Sequence, residues 1–236
     1  MITKKIISSF FDLIFPISCL ACNKEGEWLC NDCLRKIIWQ PHQKCLNCGE
    51  INQSGEFCKD CSLYYELDGL LSASNYDGVI KDLIKTCKYN FAEPVGKVLG
   101  NLLILFIGSL AGQRQIHPKL LPWSNNLLVP VPLARKRYNW RGFNQAKVIA
   151  EQFGNYFNLE VVDSLHREHR KAQATLSRQE RRQNLKNIFS WTGEDLIGKN
   201  IILIDDVATT GVTLNECAKA LKKKRAKQVW GLVIAK

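Results

Sequence analysis

The chain has 236 residues, 46% of them hydrophobic, which is the size and composition of one ordinary soluble domain with a small second one. The net charge is +11, and the excess lies in the second half, because residues 114–236 carry 22 Lys/Arg against 10 Asp/Glu. No stretch reaches the ~20 apolar residues of a membrane-spanning helix, so no transmembrane segment is predicted. The most apolar stretch, Val98–Ala111, is interrupted by glycine and polar residues and predicts a buried or amphipathic helix. The basic half predicts a partner that carries phosphate groups; a surface that is basic only for solubility is the alternative.

The N-terminus begins with two lysines and an apolar run that is broken by Asp12. Its apolar side chains recur at helical spacing, at Ile6, Ile7, Phe10, Phe11 and Ile14. Because no small-x-small cleavage site ends the run, the pattern predicts a short amphipathic helix and no signal peptide. We expect this helix to dock on the protein, with contact to a membrane surface as the alternative.

Eight of the ten cysteines form four CxxC pairs, which are Cys19/Cys22, Cys30/Cys33, Cys45/Cys48 and Cys58/Cys61. Two CxxC turns complete a tetrahedral zinc site, so the sequence predicts two structural Zn²⁺ sites. Sequential pairing of the turns is the simplest arrangement, and an interleaved pairing is the alternative. A disulfide framework would need an oxidising compartment, for which no export signal is found, and four successive redox pairs would be unusual. Cys87 and Cys217 are predicted to be small buried residues.

The most specific pattern is N-I-I-L-I-D-D-V-A-T-T-G-V-T-L, from Asn200 to Leu214. The β-branched run Ile201–Ile204 predicts a central parallel strand covered on both faces. A tight loop follows, and then come a predicted helix over Leu214–Lys224 and a last strand over Gln228–Ala235. A loop between a strand end and a helix N-terminus presents backbone N–H groups to a phosphate.

This loop predicts a phosphate site, whose residues are Val207, Ala208, Thr209, Thr210, Gly211, Val212 and Thr213. The threonine hydroxyls add donors, and Gly211 lets the backbone approach the phosphate. Asp205 and Asp206 precede the loop, where their carboxylates can accept hydrogen bonds from two ribose hydroxyls, directly or through a cation. The nine residues D-D-V-A-T-T-G-V-T resemble the phosphoribosyl-pyrophosphate motif of type I phosphoribosyltransferases. An ordinary strand–turn–helix is the alternative.

Two basic segments lie upstream of this motif. In the first segment, a strand is predicted over Leu127–Val131. A loop that could hold pyrophosphate is predicted from Pro132, and a helix is predicted after it. The second segment, residues 166–185, is polar and could close over a polyphosphate or lie along a nucleic-acid backbone. The candidate ligands for pyrophosphate or a DNA backbone are Arg137, Arg141, Arg170, Lys171, Arg181 and Arg182. A solvated charged surface is the alternative for both segments.

Read together, these segments resemble the ComF family. The CxxC pairs, the segment Y-D-G-V-I-K-D-L-I-K-T-C-K-Y, P-V-P-L with R-G-F-N-Q-A, and I-D-D-V-A-T-T-G-V-T match the family in order and spacing from Cys19 to Lys236. Asn90 stands where the family pattern leads us to expect glycine. The resemblance implies a role in natural transformation, in which imported single-stranded DNA is handled on the cytoplasmic side.

We therefore predict an α/β fold with a type I phosphoribosyltransferase-like core, built on a mainly parallel sheet of about five strands. Residues 1–66 would form the N-terminal helix and a double zinc ribbon, and residues 67–236 the core. One hypothesis is a phosphoribosyltransferase that uses Mg²⁺, with Asp205 and Asp206 steadying the ribosyl centre. The other is a binding protein for single-stranded DNA without catalysis. The expected location is the cytoplasm, with the inner face of the membrane as an alternative, and the expected partners are a DNA-uptake helicase and recombination-loading proteins.

Overall fold

A computed structural model describes residues 17–52, 54–90, 92–112, 126–168 and 188–236. The predicted N-terminal helix and four of the candidate basic ligands (Arg170, Lys171, Arg181 and Arg182) lie outside the described residues. The prediction of a domain boundary after residue 66 stays a prediction.

The cysteine-rich segment, residues 17–66, is folded around short elements. Helix α1 (Asn31–Leu34) follows Cys30, and strands β1 (Gln43–Lys44) and β2 (Ile51–Asn52) form an antiparallel pair. Helix α2 (Lys59–Ser62) then follows Cys58. A segment of this kind has little apolar core of its own, so metal ligation is expected to supply much of its folding free energy.

The remainder alternates strands and helices, as a parallel sheet requires. Its elements are β3 (Gly69–Ser74), α3 (Gly78–Tyr89), α4 (Glu93–Gly112), β4 (Asn126–Pro130), α5 (Arg135–Arg141), α6 (Gln145–Phe157), β5 (Leu165–Arg167), β6 (Phe189–Trp191), β7 (Asn200–Val207), α7 (Val212–Lys223) and β8 (Gln228–Ala235).

The central sheet, within the described part of the chain, has the strand order β3-β8-β7-β4, and every neighbouring pair is parallel. Beside β4, the Leu128 N–H donates to the Glu160 carbonyl at 2.9 Å, and the Val162 N–H donates to the Leu128 carbonyl at 2.8 Å. This bridge adds a short parallel segment at that edge, in keeping with the predicted sheet of about five strands. The predicted α/β fold is confirmed.

Both faces of the sheet are covered. Ile202 and Ile204 face the layer of α3, α4 and α6, whereas Ile201 and Leu203 face α7 and the antiparallel pair of β5 and β6. All four side chains are at most 2% exposed, which explains why β7 reads as a continuous apolar run. The alternation also fixes the next two residues, so the Asp206 side chain points to the α3 layer and the Asp205 side chain to the α7 layer.

Helix α4 is the predicted buried helix. Among the described residues, α4 is the one helix whose length and composition would allow it to cross a membrane. No such segment was predicted from the sequence. Core helices of soluble proteins have the same composition, and α4 packs inside the domain. A Cβ atom on Gly96 or Gly100 would lie 2.7 Å from Val148 Cγ1 or 2.6 Å from Gln152 Cβ, respectively. These two glycines, one turn apart, allow α6 to approach α4 closely.

The cysteine-rich segment covers the β3 edge of the sheet. Gln43 is 2% exposed, and its amide group pairs with the Ser72 backbone, accepting from the N–H at 2.7 Å and donating to the carbonyl at 3.2 Å. The Leu70 N–H donates to the Gly55 carbonyl at 2.8 Å. An uncovered edge strand would present free N–H and C=O groups for aggregation, and these bonds occupy them.

Candidate phosphate site and zinc centres

The eight paired cysteines form two clusters. Within each cluster the four Sγ atoms lie within 4.8 Å of one another: Cys19, Cys22, Cys30 and Cys33 in the first, and Cys45, Cys48, Cys58 and Cys61 in the second. The sequential pairing is therefore the one adopted, and the interleaved alternative is wrong. Four thiolates fill a tetrahedral Zn²⁺ site and leave no position for a catalytic water, so both centres are structural.

Backbone N–H groups lower the pKa of one thiol in each cluster. Burial by itself would raise the pKa of the Cys19 thiol, but N–H groups, that of Cys30 foremost, lower it to about 6. The pKa of Cys45 is likewise about 6, because N–H groups of Cys48 and Cys58 outweigh burial. Zinc binds thiolate, so the lowered pKa of these two thiols favours its binding at neutral pH. Hydrogen bonds with neighbouring thiols raise the pKa of Cys33 and Cys58 to about 12, so these two must release protons when the metal binds.

The acidic pair lies at the carboxyl end of β7. Asp206 is only 3% exposed, and its backbone N–H donates to Asp205 Oδ1 at 2.8 Å. Burial, followed by the negative charge of Asp206, raises the pKa of Asp205 to about 8. Two adjacent carboxylates at a covered strand end are costly unless something binds there.

Lys88 is the site residue that sequence reasoning missed. It lies in the last turn of α3, and its Nζ is 2.9 Å from Asp206 Oδ2. The neighbouring Cys87 is fully buried, and burial, together with the charge of Asp206, raises the pKa of its thiol to about 12. The only signal in the sequence is the position of Lys88 in the segment that matches the ComF pattern. Cys217 is also fully buried, which confirms the prediction for both single cysteines.

The predicted phosphate residues lie together where β7 ends and α7 begins. We call Val207–Val212 the phosphate loop. Ala208 is buried and its N–H donates to the Ala235 carbonyl at 3.0 Å, whereas Thr209 and Thr210 are exposed. Gly211 has φ +67°, the left-handed region, and is the N-cap of α7, so Val212 and Thr213 form the first turn of the helix. The first N–H groups of a helix have no partner within it and are available to an anion.

Arg141 was predicted to lie in an open loop, but in the structure it is the last residue of a helix. Residues from Arg135 form helix α5, and Gly142, with φ +81°, ends it. Arg141 is 6% exposed; its Nε donates to the Lys88 carbonyl at 2.9 Å, and its Nη1 donates to Gln145. It therefore fixes the end of α3, and with it Lys88, against α6. Arg137 stays exposed on α5.

A cavity of about 480 Å³ opens beside the carboxyl end of β4. Its wall includes Pro132 and Leu133 from the loop after β4, Tyr138 from α5, and His166 from β5. His166 Nε2 lies 2.9 Å from Thr192 Oγ1. The lining combines apolar and charged groups, so the cavity can accommodate a polar ligand, and it includes no residue of the phosphate loop.

Known proteins share both parts of this architecture. Residues 10–62 match the model of a double zinc ribbon domain, and residues 140–235 match that of a phosphoribosyl transferase domain. Competence protein F of Haemophilus influenzae is 31% identical, and the alignment covers 94% of this chain and 98% of that protein. The chain belongs to the ComF family.

Two further relatives carry related names. Competence protein ComFC of Streptococcus pneumoniae is 28% identical over 90% of this chain and 89% of that protein. DNA utilization protein YhgH of Escherichia coli K12 is 30% identical over 69% of this chain and 70% of that protein. The resemblance inferred from the motifs is therefore confirmed at the level of the family.

Proposed function

We propose that this ComF protein binds phosphoribosyl pyrophosphate, or a similar 5-phosphoribosyl ligand, together with Mg²⁺. We propose that it acts in DNA uptake. The observation that carries the proposal is the pair Asp205–Asp206 at the end of a central parallel strand, followed by a left-handed Gly211 that opens a helix. In open parallel sheets, ligands bind outside the carboxyl ends of the strands, where this pair lies.

Each part of the loop has a task in this proposal. The N–H groups of Val212 and Thr213 and the exposed hydroxyls of Thr209 and Thr210 would donate to the 5-phosphate. The missing side chain of Gly211 lets the phosphate reach the backbone. Asp205 and Asp206 would accept hydrogen bonds from the ribose hydroxyls. Lys88 holds the Asp206 carboxylate in place for that task.

The oxygen donors also fit Mg²⁺, which is usually held by one or two carboxylates and by substrate phosphates. Asp205 and Asp206 would supply the carboxylates, and the cation would neutralise the pyrophosphate charge. If the protein is a transferase, the same carboxylates would steady positive charge at the ribosyl centre. Arg137 and the basic segment after β5 would then cover the pyrophosphate.

The role in DNA uptake is proposed from the names of the relatives, which are called competence and DNA utilization proteins. We accordingly place the protein in the cytoplasm or at the inner face of the membrane. Its proposed partners are a DNA-uptake helicase and recombination-loading proteins. Residues 1–66 and 67–236 are proposed as its two domains.

A second candidate function, binding of single-stranded DNA, is favoured by an aromatic surface beside the site. Tyr89, Tyr138 and Trp140 are 58%, 50% and 52% exposed, and the Tyr89 and Trp140 rings lie 6.0 Å apart. They adjoin Lys88 in α3 and the exposed basic residues of α5. Bases stack on such rings while cations follow the backbone. A strand whose 5′-phosphate occupied the phosphate loop could place its first bases on this surface.

A competition experiment tests both functions. A fluorescent oligonucleotide with a 5′-phosphate is bound to the protein and then displaced by phosphoribosyl pyrophosphate with Mg²⁺. Displacement that is lost in Asp205→Asn/Asp206→Asn, while the variant stays folded and zinc-loaded, supports a shared site. Binding that is lost only in Tyr138→Ala/Trp140→Ala supports a separate DNA surface. Failure of phosphoribosyl pyrophosphate to bind at all would refute the first function.

A further inference from the structure

The second zinc centre touches the phosphate loop. Leu46 lies between Cys45 and Cys48, and a Cβ atom built on Gly211 would lie 1.8 Å from Leu46 Cδ2. The leucine side chain therefore rests directly on the backbone of the residue that caps α7. Any side chain at position 211 would displace it, so the contact itself requires glycine there, in addition to the positive φ.

The segment that leads into the Leu46 turn is fixed to the core at two positions. The Lys44 carbonyl accepts from Lys236 Nζ at 3.3 Å, at the carboxyl end of β8. The buried Gln43 is bonded to the Ser72 backbone of β3. The Cys45–Cys48 turn is thus seated over the same end of the sheet as the phosphate loop. Its contact with the phosphate loop is made by Leu46 at Gly211.

We propose that Leu46 is a positioning residue for the phosphate loop, and that zinc at the second centre holds the loop in its binding conformation through Leu46. This proposal rests on the proposed phosphoribosyl site. Metal ligation orders the Cys45–Cys48 turn, and the ordered turn keeps the Leu46 side chain packed against Gly211. Without the metal or the side chain, the loop loses the packing that restricts its opening.

The first zinc centre supplies a matched control. Leu20 stands between Cys19 and Cys22 as Leu46 stands between Cys45 and Cys48. Its side chain packs against the core cluster of the α3, α4 and α6 layer, whereas Leu46 packs against the cluster of the α7 layer. A change at Leu20 therefore perturbs a zinc turn of the same sequence type without touching the phosphate loop.

The test measures amide hydrogen exchange of the phosphate loop in the full zinc-loaded protein, which needs no ligand. Leu46→Ala removes a half-buried isobutyl group, and we expect loop exchange to become about tenfold faster. Leu20→Ala should leave it unchanged, and Leu46→Met, which conserves volume, should restore slow exchange. Cys48→Ser should accelerate loop exchange and Cys22→Ser should not. The melting temperature establishes that each variant is folded, and the zinc content should be two ions per chain in the leucine variants and one in the cysteine variants.

Two outcomes overturn the inference: loop exchange that is unchanged in Leu46→Ala, or loop exchange that Leu20→Ala accelerates equally. The affinity for phosphoribosyl pyrophosphate with Mg²⁺ is then measured on the same proteins, and Leu46→Ala should weaken it about tenfold. If wild-type protein fails to bind the compound while Leu46→Ala still accelerates exchange, the proposed function fails and the coupling stands. If wild-type binds and Leu46→Ala binds equally well, the coupling fails and the function stands.

Discussion

Replacing Asp205 with asparagine should stabilise the protein, because the wild-type carboxylate is held where its charge is unfavourable. Burial and the charge of Asp206 raise the pKa of Asp205 from its usual 3.8 to about 8 in the folded protein. Between these two values the folded state keeps a proton that the unfolded state has lost. The free energy of unfolding therefore falls as pH rises through this range and levels off above pH 8.

The magnitude follows from the same linkage. A full proton difference lowers the free energy of unfolding by about 1.4 kcal/mol per pH unit. Asp205 keeps partial contact with solvent, so we expect about 1 kcal/mol per unit between pH 6 and pH 8. Asparagine cannot ionise but retains the oxygen that accepts the Asp206 N–H. The stability advantage of Asp205→Asn should therefore grow by about 2 kcal/mol over this interval.

Urea unfolding of both proteins at pH 6, 7, 8 and 9 measures this advantage directly. Zinc content is checked at each pH, so that contributions of the metal cancel in the comparison. Asp163→Asn is a suitable control, because that carboxylate pairs with Lys147 on the surface. An Asp205→Asn variant whose stability relative to wild type does not change with pH would refute the assignment of a raised pKa.

Two further predictions concern single contacts. Lys88→Met leaves the buried Asp206 carboxylate without its ion-pair partner and should lower the free energy of unfolding at pH 8 by about 3 kcal/mol. Adding Asp206→Asn in a double variant should restore most of this loss. A loss below about 0.5 kcal/mol would show that the pair is not formed in solution. Cys30→Ser should leave one zinc ion per chain in a metal assay and destabilise the cysteine-rich segment, and two zinc ions per chain would contradict the ligand set.

Features that depend on neighbouring residues in the chain could be predicted from the sequence. The β-branched run before Asp205, the turn at Gly211 and the apolar pattern after it predicted the ends of β7, α7 and β8 to within three residues. The CxxC spacing likewise predicted the two zinc centres, because each turn carries two ligands that are close in the sequence.

Features that depend on how distant segments meet could not be predicted. Lys88 pairs with Asp206 because the last turn of α3 lies beside the carboxyl end of β7, and Arg141 is bonded to the end of α3 there. The contact of Leu46 with Gly211 likewise follows from the docking of the cysteine-rich segment on β3. Arg141 itself was predicted in an open loop, because a helix of seven residues, five of them basic or polar, gives little apolar pattern.

The central claim is that Asp205 and Asp206 form a Mg²⁺-dependent phosphoribosyl site, and calorimetric titration with phosphoribosyl pyrophosphate tests it most directly. The titration is made at pH 7 with and without Mg²⁺, in two buffers of different ionisation enthalpy. We predict binding that requires Mg²⁺ and releases about one proton, because Asp205 must ionise on binding and its pKa is about 8. Absence of binding to the folded, zinc-loaded protein, or binding that is indifferent to Mg²⁺ and to the buffer, would contradict the claim.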